Sequence, residues 1–145
     1  ALPISGFDYI VDAIDTVSAK LALIEKAHEH GVPIISAMGC GNRFDPTKLV
    51  VTDIYKTEMD PLAKVMRKEL KKRGIKKLKV VYSTEEPIKP MDFDEDGQKI
   101  MASSQVAAAG QTRAKSVPGS TAFVPSAAGL IIASQVAFDL TKDLR

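Results

Sequence analysis

Two short apolar runs separated by one amphipathic stretch constrain this chain more than any other feature. Residues 7–14, FDYIVDAI, are rich in β-branched and aromatic groups, and residues 32–37, VPIISA, repeat the pattern. Both have the length and composition of strands buried in a sheet. Between them, VSAKLALIEKAHEHG sets Val17, Leu21, Ile24 and Ala27 on one helical face, with Gly31 as the stop. Asp15 or Thr16 stands where an N-cap is expected. Strand, helix and strand this close together predict a right-handed crossover between parallel strands.

The alternation continues. KLVVTDI (48–54) reads as a strand, and DPLAKVMRKELKKRG as a helix with Asp60 at the N-cap, Pro61 in the first turn and Gly74 at the end. Leu62, Val65, Met66 and Leu70 form its apolar face. LKVVYS (78–83) is the next strand. Residues 84–119 lose all periodicity, which predicts a flexible loop or lid, functional or disordered. STAFVP (120–125) reads as a returning strand, and residues 126–144 as a mostly apolar closing helix. Its small residues Ala127, Ala128, Gly129, Ala133 and Ser134 allow close approach by a neighbour.

Composition narrows the class. The 145 residues suffice for one sizeable core, and 45% apolar with 26% charged residues is ordinary for a globular protein. One cysteine cannot form an internal disulfide. No uninterrupted apolar run reaches about 18 residues. The N-terminus lacks the basic start and apolar stretch of a signal peptide, so a cytoplasmic protein is expected. The chain also begins without methionine and close to a strand, as though cut from something longer. Nine basic residues stand between Lys64 and Lys79 against one acid, Glu69, and six acids between Glu85 and Asp96 against one lysine, Lys89. A basic helix suits a polyanion such as RNA, although composition alone favours a solvated surface.

Cys40 sits between two glycines in SAMGCGNRFDP (36–46), at the end of a strand. A nucleophilic thiolate needs a cation or helix N-terminus nearby, and only Arg43 is close in sequence. A tight turn of small residues accounts better for Gly39-Cys40-Gly41. His28 and His30, two apart on a helix, point to different faces and do not make a metal pair. No P-loop occurs, and GCGNRF has Phe44 where a dinucleotide fingerprint would have its third glycine.

The segments DAIDTVSAK, GNRFDPTKLVVTDIYKTEMDPLA, MRKELKKRG, VVYSTEEP and PGSTAFVPSAAGLIIASQV carry a resemblance. Together they resemble the ThiF/MoeB/HesA superfamily, the bacterial relatives of ubiquitin-activating enzymes, and within it the tRNA threonylcarbamoyladenosine dehydratase branch. The resemblance implies an α/β fold: residues 1–145 would be the C-terminal half of a Rossmann-like ThiF-type domain, a mixed sheet with flanking helices and a long mobile loop. It implies an enzyme that activates a carboxylate with MgATP and cyclises it with loss of water. The expected cofactors are ATP and magnesium, and the expected partners are tRNA and a second copy in a homodimer.

Residue by residue, the resemblance places Asp15 at the position that holds magnesium and the ATP phosphates. Thr16 departs from the asparagine often found next to it, and Asp12 is expected to be structural. The basic residues Arg67, Lys68, Lys71 and Lys72 are expected to meet tRNA. The family's glycine-rich loop, catalytic lysine and arginine have no counterpart in these residues, so the missing N-terminal half would be required and the chain would not act alone. No catalytic residue is assigned, Cys40 included. Two alternatives stand beside this reading. One is an activating enzyme for a ubiquitin-like sulfur-carrier protein, disfavoured by the lack of paired C-x-x-C motifs. The other is a non-catalytic dimerisation or binding module without the nucleotide half.

Overall fold

A computed structural model describes residues 3–89, 91–93, 99–101 and 119–144. The elements are β1 (Ile10–Asp12), α1 (Val17–Glu29), β2 (Ile34–Ala37), β3 (Leu49–Asp53), α2 (Pro61–Lys72), β4 (Lys79–Ser83), β5 (Met91–Phe93), β6 (Lys99–Met101) and α3 (Phe123–Thr141). Short 3-10 turns precede β1 and β3, link β3 to α2, and extend α3 to Leu144.

The main sheet has the order β1-β2-β4-β3. Strands β1, β2 and β4 are parallel, with Val11 beside Ile35 and Ser36 beside Val80. Strand β3 reverses at the edge, and Val51 pairs with Val81. Alternation along β4 feeds two cores. Val80 and Tyr82 face α1 and α2, joining Leu21, Ile24, Met66 and Leu70. Val81 faces α3, where it meets Ile35, Val124, Ala128 and Ile132. Each fully buried aliphatic side chain here contributes about 1.5–3 kcal/mol.

Local chemistry sets the helix ends. Asp60 caps α2 by accepting from the Ala63 amide at 2.9 Å, and Pro61 takes the first position. Gly74 adopts φ +72°, letting the Gly74 amide bond the Lys71 carbonyl and the Ile75 amide the Leu70 carbonyl. Gly31, at φ +66°, closes α1 in the same way.

The structure corrects three expectations. Residues 120–125 do not form a strand: Phe123 to Pro125 are the first turn of α3. A proline there loses no intrahelical hydrogen bond, because the first turn has no carbonyl to donate to. The first strand is trimmed to Ile10–Asp12, with Phe7 and Ile14 exposed beyond it. The N-cap of α1 falls on Thr16, one of the two positions expected for it, and makes no side-chain cap hydrogen bond. Within 84–119, β5 and β6 pair as an antiparallel hairpin, Asp92 beside Ile100. The remainder of the expected mobile loop lies outside the described residues.

Candidate functional site

Parallel strands β1, β2 and β4 all end at one edge of the sheet, where open α/β sheets bind ligands. Because β3 is antiparallel, its beginning lies at the same edge, with Leu49 beside Ser83. The connections after β1, β2 and β4 meet there, along with the first turn of α2.

Asp15 follows β1 at this edge and is exposed. The turn that carries it is held from below. Asp12, fully buried, accepts the Ile14 amide through Oδ1 at 3.1 Å. Its other oxygen takes Lys20 Nζ at 3.0 Å and Ser36 Oγ at 2.5 Å. Lys20 is only 1% exposed, because its position falls on the same face of α1 as Leu21 and Ile24. The buried triad ties β1, α1 and β2 together and, through the Ile14 amide, holds the turn that leads to Asp15.

The loop after β2 forms a second knot. Arg43, 2% exposed, donates through Nε to the Glu85 carbonyl at 3.0 Å and through Nη1 to the Gly39 carbonyl. Its Nη2 lies 3.6 Å from Asp60 Oδ2, the carboxylate that caps α2. The same Asp60 oxygen accepts the Gly39 amide at 3.1 Å. The Glu85 side chain receives the amides of Phe44 and Asp45. Asn42, at φ +57°, exchanges hydrogen bonds with Gly119: its amide donates to the Gly119 carbonyl, and the Gly119 amide to Asn42 Oδ1. Four connections are thereby locked into one rim.

Cys40 packs beside Ile35 and Val81 on the α3 side of the sheet. Burial raises its thiol above the ordinary value of 9.0, outweighing the opposing pull of Arg43. It is therefore a poor nucleophile at neutral pH. At Gly39 an added Cβ would lie 3.4 Å from Arg43 and from both Asp60 oxygens, an ordinary contact distance, so the turn packs against the knot without excluding a Cβ.

The four basic residues of α2 are not equivalent. Lys68 and Lys71 are exposed, while Lys72 binds Glu69 at 2.7 Å. Arg67 is half-buried, and its Nη1 donates to the Thr57 carbonyl at 2.8 Å and to the Thr57 hydroxyl. Since α2 starts at the rim, Lys71 and Lys72 lie about 15 Å along the helix from it. Among the described residues no group of three or more His, Cys, Asp or Glu gathers to hold a metal. A hollow lined by Ile24, His28, Pro33 and Lys77 lies at the opposite edge, remote from Asp15.

Sequence reading missed both knots. Lys20 gave one signal, a lysine in phase with the apolar face of its helix. Arg43 gave none, since Asp60 and Glu85 are brought to it only by folding.

No family model matches the chain. Against curated proteins it is 44% identical over 140 residues to the Bacillus subtilis tRNA threonylcarbamoyladenosine dehydratase, covering 96% of this chain and 53% of that protein. It is 41% identical over 93 residues to the Escherichia coli protein of the same name, covering 59% of this chain and 35% of that one. Among solved structures, E. coli TcdA in complex with AMP superposes with TM-score 0.72 at 26% identity, over 96% of this chain and 50% of that one. A TcdA (CsdL) structure gives TM-score 0.72 at 28% identity, over 96% and 52%. A complex of the E. coli enzyme with ATP matches at 0.57 and 26% identity, over 91% and 51%.

The fold is similar to that of the ThiF-like TcdA structures. More particularly, the homologues that cover this chain are named tRNA threonylcarbamoyladenosine dehydratases, and it matches part of their length. The chain spans about half the length of the B. subtilis relative.

Proposed function

We propose that this chain is the part of a tRNA threonylcarbamoyladenosine dehydratase that carries its magnesium-holding carboxylate, and that it works in the cytoplasm as a homodimer. The observation that carries the reading is the 44% identity to the B. subtilis dehydratase across 96% of this chain. The exposed carboxylate of Asp15, at the sheet edge, adds to it. In that reaction ATP supplies the leaving group that a carboxylate lacks, so that the threonyl carboxylate of the modified adenosine can close on itself with loss of water.

The residues present fit a magnesium ion that arrives with the nucleotide. A single hard carboxylate suits an ion that keeps waters and phosphate oxygens as its remaining ligands. Asp15 would hold the ion, Asp12 and Lys20 would keep its turn in place, and the Gly39–Asp45 rim would border the nucleotide. The phosphate-cradling glycine loop is not found in these residues and must be contributed by the other half of the enzyme. Exposed Lys68 and Lys71 would meet the tRNA backbone, with Lys72 and Arg67 beside them.

The test combines this chain with a polypeptide that supplies the relatives' remaining half, and follows threonylcarbamoyladenosine in tRNA by mass spectrometry. ATP-dependent loss of one water is expected, abolished by Asp15→Ala. No conversion from a complex that forms and binds ATP, or full conversion with Asp15→Ala, would overturn the assignment.

A further inference from the structure

Large apolar side chains face water around the rim at the carboxyl edge of the sheet. Phe44 is 58% exposed and Phe123 61%, and Met59 and Ile88 are exposed with them. They are not scattered singly, because each adjoins the knot around Arg43. Phe44 follows Arg43 itself, and Met59 precedes Asp60. The Ile88 amide donates to the Asn42 carbonyl at 2.8 Å. Phe123 lies two residues past Thr121, whose hydroxyl donates to the Arg43 carbonyl at 3.4 Å. Exposed apolar groups gathered in this way mark a binding surface.

The backbone under these rings is fixed in advance. The Phe44 amide donates to both Glu85 oxygens at 3.1 Å, and the Asp45 amide to one of them at 2.9 Å. Arg43 is buried while Phe44, its neighbour, is exposed. The same division recurs at the start of α3, where Val124 is buried against the sheet and Phe123 is exposed. Aromatic rings on a rigid frame lose little freedom on binding, since only two side-chain torsions remain to be fixed.

Charge identifies the occupant. Lys48 is exposed four residues past Phe44, Lys64 is exposed in the first turn of α2, and Lys68 follows one turn later. Among the described residues none of these three joins an ion pair. The acids nearby are engaged within the loop: Glu85 receives the amides just named, and Asp45 receives the Thr47 amide at 2.9 Å. The core of a protein interface is depleted in lysine. Exposed rings bordered by unpaired lysines are instead suited to stack bases and hold phosphates. We propose that Phe44 and Phe123 stack on unpaired bases of an RNA loop, with Lys48 and Lys64 on its phosphates. The proposal deepens the RNA-modifying reading above and rests on it, naming how the loop with the modified adenosine is held at the rim.

The sequence contains no tryptophan, so Phe44→Trp and Phe123→Trp each give the 145-residue chain a single indole. An RNA hairpin with an unpaired loop should quench both, and a fully paired RNA duplex should bind without quenching either. Phe7→Trp, placed before β1, should lose no emission with either RNA. Phe44→Ala with Phe123→Ala should weaken hairpin binding roughly ten-fold or more, with duplex affinity and circular dichroism unchanged. Unchanged hairpin affinity in that double variant, or quenching as strong with the duplex as with the hairpin, overturns the stacking role and leaves the RNA reading standing. A wild type that binds neither RNA ends both. Quenching by a polypeptide that supplies the relatives' remaining half, with none from RNA in the resulting complex, would place protein over the rings and also overturn the proposal.

Discussion

The ammonium of Lys20 donates to Asp12 at 3.0 Å and to Ser36 at 3.2 Å, with all three side chains shut away from water. A buried pair of this kind is worth little against an apolar replacement but costs much when halved, because one charge is left buried and uncompensated. Lys20→Met should therefore destabilise the fold by about 3–5 kcal/mol. Urea unfolding of Lys20→Met, Asp12→Leu and the double variant should show strong coupling, the double costing far less than the sum. Additive losses would mean that the pair does not act as a unit.

Acid unfolding should report on Asp139. The hydrogen bond from Lys79, followed by that from Tyr9, holds its carboxyl below the ordinary value of 3.8. A depressed folded value stabilises above the unfolded one and is lost as pH falls. The stability gap between wild type and Asp139→Asn should hold between pH 5 and pH 7, roughly, and close below about pH 4. A gap that stays constant from neutral pH to the acid limit of the melts would contradict the contact.

The same contact acts with opposite sign in alkali. Burial first, then the Asp139 hydrogen bond, raises the Tyr9 phenol above its ordinary value of 10.0. Its contribution is therefore present below that value and fades as pH climbs past it. Tyr9→Phe should flatten stability in that window, measured by thermal melts from pH 9 to pH 11, roughly.

Cys40 should behave as packing. Its raised thiol predicts alkylation by iodoacetamide about ten-fold or more slower than free cysteine at neutral pH. Cys40→Ala should cost about 1 kcal/mol in urea unfolding. Fast alkylation with a plateau at low pH would instead reveal a thiolate.

On α2 the lysines and the arginine should separate. Lys68→Glu with Lys71→Glu should weaken tRNA binding at least ten-fold, roughly, and lower the salt slope by about 1–2. Arg67→Ala should chiefly lower stability, since its guanidinium is committed to Thr57. Unchanged filter binding by the double lysine variant would take α2 out of the RNA-binding surface.

What the sequence made legible follows the range of the interactions involved. The Asp60 cap, Pro61 and the glycine stops at Gly31 and Gly74 act within a few residues, and each can be read directly. Phe123–Pro125 misled because an aromatic, a β-branched residue and a proline together look like the end of a strand. Only docking of Val124 on Ile35 and Val81 makes that segment helical. The buried triad and the Arg43 knot were hidden for a related reason. Arg43 and Glu85 are 42 residues apart, and no local pattern announces a bond between them. Asp15 itself stood out through family resemblance, since an acid before a helix ordinarily signals no more than a cap.

The bond between Tyr9 and Asp139 joins residues 130 positions apart. During synthesis Tyr9 must wait for a further 130 residues before that partner exists. At about 5–20 residues per second, the interval is several seconds or longer. Through that interval the α3 side of β2 and β4 lies bare. A ribosome stalled before residue 123 would thus leave the α3 side of β2 and β4 exposed to whatever hydrophobic surface it meets.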